Sequence, residues 1–200
     1  MAVTYGYLYL LFTTITEVFE VNYGFGSGVV GLTYIGIGAG MLSGAVIFGR
    51  MSDRLLKKKA AGGAMKPEYR LPPMLPGAIL LPVGFFLYGW SAQEGVFWFV
   101  PILGTAIVGI GIMAVFMSIS TYLVDAFTIH AASALAANTV LRSVVGAVLP
   151  LAGPAMYSRL GLGWGNSVLA FIAIALIPIP LLLMKYGEWL RTAKRFRLKL

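Results

Sequence analysis

Apolar runs long enough to cross a bilayer recur along almost the whole of this 200-residue chain. A spanning helix needs about 20 mostly apolar residues, because a hydrocarbon core about 30 Å thick offers no partner to an exposed backbone amide. Such runs are read at 2–19, 29–48, 75–90, 96–123, 131–157 and 166–184. The expected fold class is an all-α membrane protein, a six-transmembrane-helix bundle over residues 1–184. The first run is short and ends against Glu17 and Glu20, and the fourth is the longest. Turns are expected at 22–28, 91–95 and 158–165, with a short polar connection at 125–130. The one long connection is a basic loop at 50–71, and a basic tail covers 185–200.

Composition excludes the soluble alternative. Hydrophobic residues make up 59% of the chain, charged residues only 11%, and the mean hydropathy is +0.87. A soluble domain of this size has too much surface to hide that much apolar area. The net charge of +8 is not spread as a nucleic-acid surface would be. Residues 50–70 hold seven basic and two acidic residues, and residues 185–199 hold six basic and one acidic. Basic clusters beside apolar spans mark the cytoplasmic side and suit contact with anionic lipid. The even-numbered spans and both termini are therefore expected to end in the cytoplasm. There is no cysteine, which excludes disulfides and thiolate chemistry. The N-terminus has no basic region or clear cleavage site, so no signal peptide is read.

Polar residues at membrane depth carry the functional reading. Arg142 lies about eleven residues into the fifth run, roughly 17 Å deep at about 1.5 Å per residue. A charge there is costly and must face a cavity or a partner. Both a transport role and a structural role in helix packing are open. Asn138 lies one turn earlier on the same face, placed to bind substrate or to join two helices. Asp125, with Tyr122 one turn before it, closes the fourth run. Asp125 is placed to carry a proton, to pair with a base, or to cap the connection that follows. Glu17, at the outer end of the first run, is either a path residue or a solvated interfacial carboxylate. His130 has no second histidine to form a metal site, and capping or exposure suits it better. No triad, catalytic carboxylate pair or phosphate loop is present, so no enzyme activity, cofactor or metal is expected. Gly36, Gly40 and Gly44 form one stripe on the second run, which suits close helix packing. Pro82, Pro101, Pro150, Pro154, Pro178 and Pro180 interrupt the later runs, as in helices that bend.

Several segments together resemble a known family. Gly49-Arg50-Met51-Ser52-Asp53-Arg54 is similar to the Gly-x-x-x-Asp-Arg loop signature of the major facilitator superfamily, and Lys57 and Lys58 extend it. Tyr7–Phe12 with Glu17-Val18-Phe19-Glu20 and Tyr23-Gly24-Phe25 resembles its seventh helix and following turn. Lys66-Pro67-Glu68-Tyr69-Arg70-Leu71-Pro72-Pro73 resembles the approach to its ninth. Tyr122-Leu123-Val124-Asp125-Ala126-Phe127, Ala131–Ala134, Ala136-Ala137-Asn138 and Arg142 resemble the tenth-to-eleventh helix region, and Pro150, Tyr157, Leu160-Gly161 and Trp164-Gly165 continue it. The resemblance is to the C-terminal half of a fungal drug:proton antiporter of the twelve-helix group. It implies proton-coupled efflux of small molecules by alternating access, in a lipid bilayer that is expected to be the plasma membrane. Asn138 and Arg142 would line the path, with Gly49, Asp53 and Arg54 at the cytoplasmic gate. The chain departs from the pattern in having six runs rather than twelve. A missing N-terminal six-helix bundle, or another copy, would be its partner. The alternative is a truncated non-transporting fragment or an accessory half-transporter.

Overall fold

A computed structural model describes residues 1–60 and 67–192, with side chains described at 1–58 and 67–187. The middle of the expected basic loop and the end of the basic tail lie outside the described residues. The described chain is all helical. It comprises α1 (Ala2–Tyr23), α2 (Ser27–Ala60), α3 (Met74–Gln93), α4 (Phe99–Phe127), α5 (Ala131–Val148), α6 (Gly153–Leu176) and α7 (Pro178–Thr192). Short 3-10 turns at Pro67–Arg70, Thr128–His130 and Leu149–Ala152 lie between them.

The helix ends follow from local chemistry. α1 stops where Gly24 turns left-handed (φ 64°, ψ 26°) and its amide donates back to the Phe19 carbonyl. Pro72 and Pro73 precede α3, where a missing amide costs nothing because the first turn has no internal acceptor for it. The loop expected from Arg50 is instead helical as far as Ala60. Arg, Leu, Lys and Ala are good helix formers, and nothing between Gly49 and Ala60 breaks the pattern. At 34 residues α2 is the longest helix among the described residues, ahead of the 29-residue α4. Its roughly 51 Å exceeds a hydrocarbon core of about 30 Å, so the basic end stands clear of the apolar layer.

The expected fifth and sixth spans are cut differently. Pro150 interrupts the run 131–157, and the backbone tightens into the 3-10 turn Leu149–Ala152 before α6 begins. The expected turn 158–165 narrows to one non-helical residue, Gly161 (φ 72°, ψ 176°), inside α6. Only glycine adopts this conformation at low cost. The expected run 166–184 breaks at Ile177, because Pro178 and Pro180 follow it.

Among the described residues, three stretches are long and apolar enough to cross a membrane: Ser27–Lys58, Pro67–Gln93 and Phe99–Gly187. Six separate spans do not emerge by that criterion, for two physical reasons. The third stretch runs through α4 to α7 with only brief turns between helices, and α1 is diluted by tyrosines, threonines and Glu17. The chain is a multi-pass membrane protein on this pattern.

α4 is the centre of the packing. It lies between α2 and α3, and α3 packs in turn on α6, while α1 packs on α5. Both neighbours of α4 present glycine. A Cβ on Gly36 would meet Ile102 Cγ2 at 2.5 Å, one on Gly40 would collide with the Ala106 backbone, and one on Gly44 would lie 2.9 Å from the Ile110 carbonyl oxygen. On the other side Gly84 sits against Val108, and Gly104 of α4 against the Tyr88 backbone. The largest fully buried side chains, among them Tyr7, Phe19, Phe85 and Tyr88, fill the space that remains. α5 buries little of itself, with Gly146 its one fully buried residue.

Candidate functional site

Two groups of polar residues stand out, one at the expected cytoplasmic end and one along α1 and α5. The first is built around Arg70, in the 3-10 turn before α3. Arg70 Nη1 donates to Asp53 Oδ1 at 2.6 Å and to Ser52 Oγ at 3.4 Å, both on α2. Its Nε donates to Asp125 Oδ2 at 2.9 Å, on α4. One guanidinium therefore ties together three elements distant in sequence, as its planar fork of donors allows. Both aspartates accept from Arg70 and set their charge beside its guanidinium, which offsets the cost of its partial burial. α7 closes beside the group: a Cβ on Gly187 would lie 3.3 Å from Glu68 Cγ and 3.6 Å from the Tyr122 hydroxyl.

The second group lies along one face of α1, facing α5 and α2. Tyr5, Tyr9 and Phe12 are spaced to share that face. The Tyr5 and Tyr9 rings are 5.0 Å apart, Tyr9 and Phe12 6.3 Å, and Phe12 and Tyr34 of α2 5.9 Å. The Tyr34 hydroxyl donates to the Phe12 carbonyl at 3.0 Å and lies 2.8 Å from Thr16 Oγ1. At one end of this strip the Arg142 guanidinium carbon stands 4.7 Å from the Tyr5 ring centre and 5.3 Å from that of Phe116 on α4. Arg142 Nε is buried and has no hydrogen-bond partner. Asn138 turns elsewhere, donating from Nδ2 to Met1 Sδ at 3.0 Å.

The structure separates the residues expected to form one path. Arg142 and Asn138 lie on α5. Asp125 and Tyr122 lie at the end of α4, where Asp125 pairs with Arg70 rather than capping the connection. Glu17 is exposed and lines a cavity of about 560 Å³ between α1 and α6 with Thr14, Asn22, Tyr157 and Ser158. Asp53 is paired with Arg70, whereas Arg54 is exposed on a groove with Arg50 and Lys58, and Gly49 faces open space. Arg70, Tyr5 and Phe116 were not singled out from the sequence. Arg70 was one basic residue among seven in its segment, although the prolines around it mark a fixed backbone.

Comparison with known proteins places these features in a family. The model of the major facilitator superfamily matches residues 1–150. The chain is 59% identical to the MFS-type transporter penM of Penicillium rubens over 198 residues, covering 98% of this chain and 39% of that protein. It is 57% identical to the MFS-type transporter tndD of Aspergillus flavipes, covering 96% of this chain and 37% of that one. It is 52% identical to the efflux pump radE of Floropilus chiversii, covering 100% of this chain and 38% of that one. The chain thus spans about two-fifths of the length of the curated relatives it matches. No solved structure matches it. A match over most of the chain, to a family of transporters rather than enzymes, leads to one conclusion: this chain belongs to the major facilitator superfamily.

Proposed function

We propose that this chain forms one wall of a small-molecule efflux transporter that exchanges substrate for protons by alternating access. Its helices would make six spans with both termini in the cytoplasm, in the plasma membrane. The observation that carries the reading is the polar and aromatic face on α1 and α5. Tyrosine hydroxyls and a half-buried arginine are expensive against lipid, so a face that presents them borders a path or another protein layer. Arg142 and Asn138 would line that path, and Glu17 would sit at its outer mouth. The Asp53–Arg70–Asp125 group would hold the cytoplasmic end shut through bonds that break when the halves rock. Another six-helix bundle would supply the second wall.

The test is flux in proteoliposomes holding this chain together with a complementary bundle. Uptake or release that follows an imposed pH gradient supports the reading, and flux indifferent to that gradient removes the proton coupling.

A further inference from the structure

We propose that Arg142 is the acid-recognising end of the aromatic strip, and that the ligand of this face is a planar, ring-bearing organic acid. The inference rests on the transport reading above for the place of the ligand, and goes beyond it in naming the ligand's chemistry.

Tyr5 and Tyr34 border the core, but the middle of the strip stands outside it. α1 carries aromatic residues on two faces with opposite fates. Tyr7 and Phe19 are 1% and 0% exposed, whereas Tyr9 and Phe12 are 41% and 40% exposed. The exposed rings keep edge or tilted contact with one another, so each leaves part of a face open for stacking. The Tyr5 hydroxyl lies 3.3 Å from that of Tyr9, a local hydrogen bond that makes the pair tolerable beside an apolar ligand. Tyr5 to Phe12 spans seven residues, or roughly 10 Å along the helix. That length suits a ligand of two or three fused rings.

Arg142 fixes the sign of the polar end. Among the described residues no carboxylate pairs with it: Asp125 is held by Arg70, and Glu17 lies in the separate cavity between α1 and α6. The rings of Tyr5 and Phe116 attract the cation but supply no negative charge, and its buried Nε has no acceptor. A ligand carboxylate completes this environment. It can accept from the two terminal nitrogens of the guanidinium, since Nε itself is buried, while the attached ring system lies on the strip that begins at Tyr5. A cationic ligand would meet an uncompensated like charge at the same point.

The test is equilibrium binding to the chain in lipid nanodiscs at near-neutral pH, with three probes that share one ring system: naphthoate, naphthamide and naphthylmethylammonium. The expected result is naphthoate binding at least about tenfold tighter than naphthamide, the size of a charge-assisted hydrogen-bond pair. Naphthylmethylammonium should bind weakest. In Arg142→Gln the advantage of the acid should vanish while naphthamide binding stays within about twofold. Arg142→Lys should fall between, and Tyr9→Ala should weaken all three alike. The melting temperature of each variant separates lost binding from lost fold; where Arg142→Gln fails to fold, Arg142→Lys carries the comparison. Naphthamide or the ammonium probe binding as well as naphthoate overturns the acid inference and leaves the transport reading in place. Absence of binding by all three overturns the inference outright, and the flux experiment then decides the transport reading separately.

Discussion

Arg70 Nη1 lies 2.6 Å from Asp53 Oδ1, and this contact joins the basic end of α2 to the turn that launches α3. The Asp53 side chain is 65% exposed, against 34% for Asp125, the other partner of Arg70. Solvent screens the first pair more than the second. Asp53→Asn should therefore change thermal stability by less than about 1 kcal/mol. Asp125→Asn should cost more, about 1–3 kcal/mol, as expected for a half-buried hydrogen bond to charge. Melting in detergent at low and high salt checks both, and salt should narrow the Asp53 effect first. Equal losses from the two substitutions would contradict this ranking.

Arg70→Lys should behave as a loss rather than as a conservative change. Lysine keeps the positive charge but cannot reach Asp53 and Asp125 from two fixed edges of one plane. The expected signature is a melting temperature close to that of Arg70→Gln. A lysine variant as stable as the parent would show that charge alone suffices at this junction.

Neighbouring glycines of α2 should respond oppositely to one added methyl. Gly40→Ala pushes a Cβ into the Ala106 backbone, which cannot rotate away, and should cost about 1–3 kcal/mol or prevent folding. Gly38→Ala meets nothing within 4 Å and should be neutral or gain up to about 1 kcal/mol from helix propensity. Parallel melting curves decide the matter. Similar behaviour at both positions would contradict close contact between α2 and α4.

At the expected outer end, Gly161 should tolerate no side chain. Its φ of 72° and ψ of 176° lie where alanine is strained, and a Cβ would stand 3.0 Å from Gln93 Oε1. That oxygen also accepts the Gly163 amide at 2.7 Å. Gly161→Ala should lose about 1–3 kcal/mol. Gln93→Ala should lose about 1–3 kcal/mol as well, since it leaves a partly buried amide without its acceptor. The double variant should cost less than the sum, because both act on one turn.

The proposed topology has its own check. Cysteine introduced at exposed Lys58 should react with an impermeant thiol reagent only from the cytoplasmic side, and at exposed Glu94 only from outside. Reversed labelling in sealed cells would invert the topology and with it the placement of the Arg70 junction.

The membrane character of the chain was legible because lipid demands long apolar runs, and such runs survive any detail of packing. The glycine-rich turn at 22–28 marked the end of α1 from backbone chemistry alone. The break at 149–152 was harder to read. Pro150 was visible, but proline is common in membrane helices and does not announce whether it bends or ends one. The basic end of α2 resembles a loop in sequence because its clustered charge is more conspicuous than its helix propensity. At the site, Arg142 was conspicuous as the rarest kind of residue at its depth. Tyr5 and Phe116, which flank it, were not, since an aromatic residue in an apolar run looks the same whether it faces the core or a ligand.

The glycine contacts on both sides of α4 have a mechanical consequence. Backbone meets backbone there, with few flexible side chains to absorb a displacement, so α2, α3 and α4 cannot slide past one another by small steps. They form a stiff plate. α5, with a single fully buried residue, is fastened to that plate mainly through α1. Among the described helices, α5 and α7 are joined to that plate most loosely, so compliance lies at its edges, one of which carries Arg142.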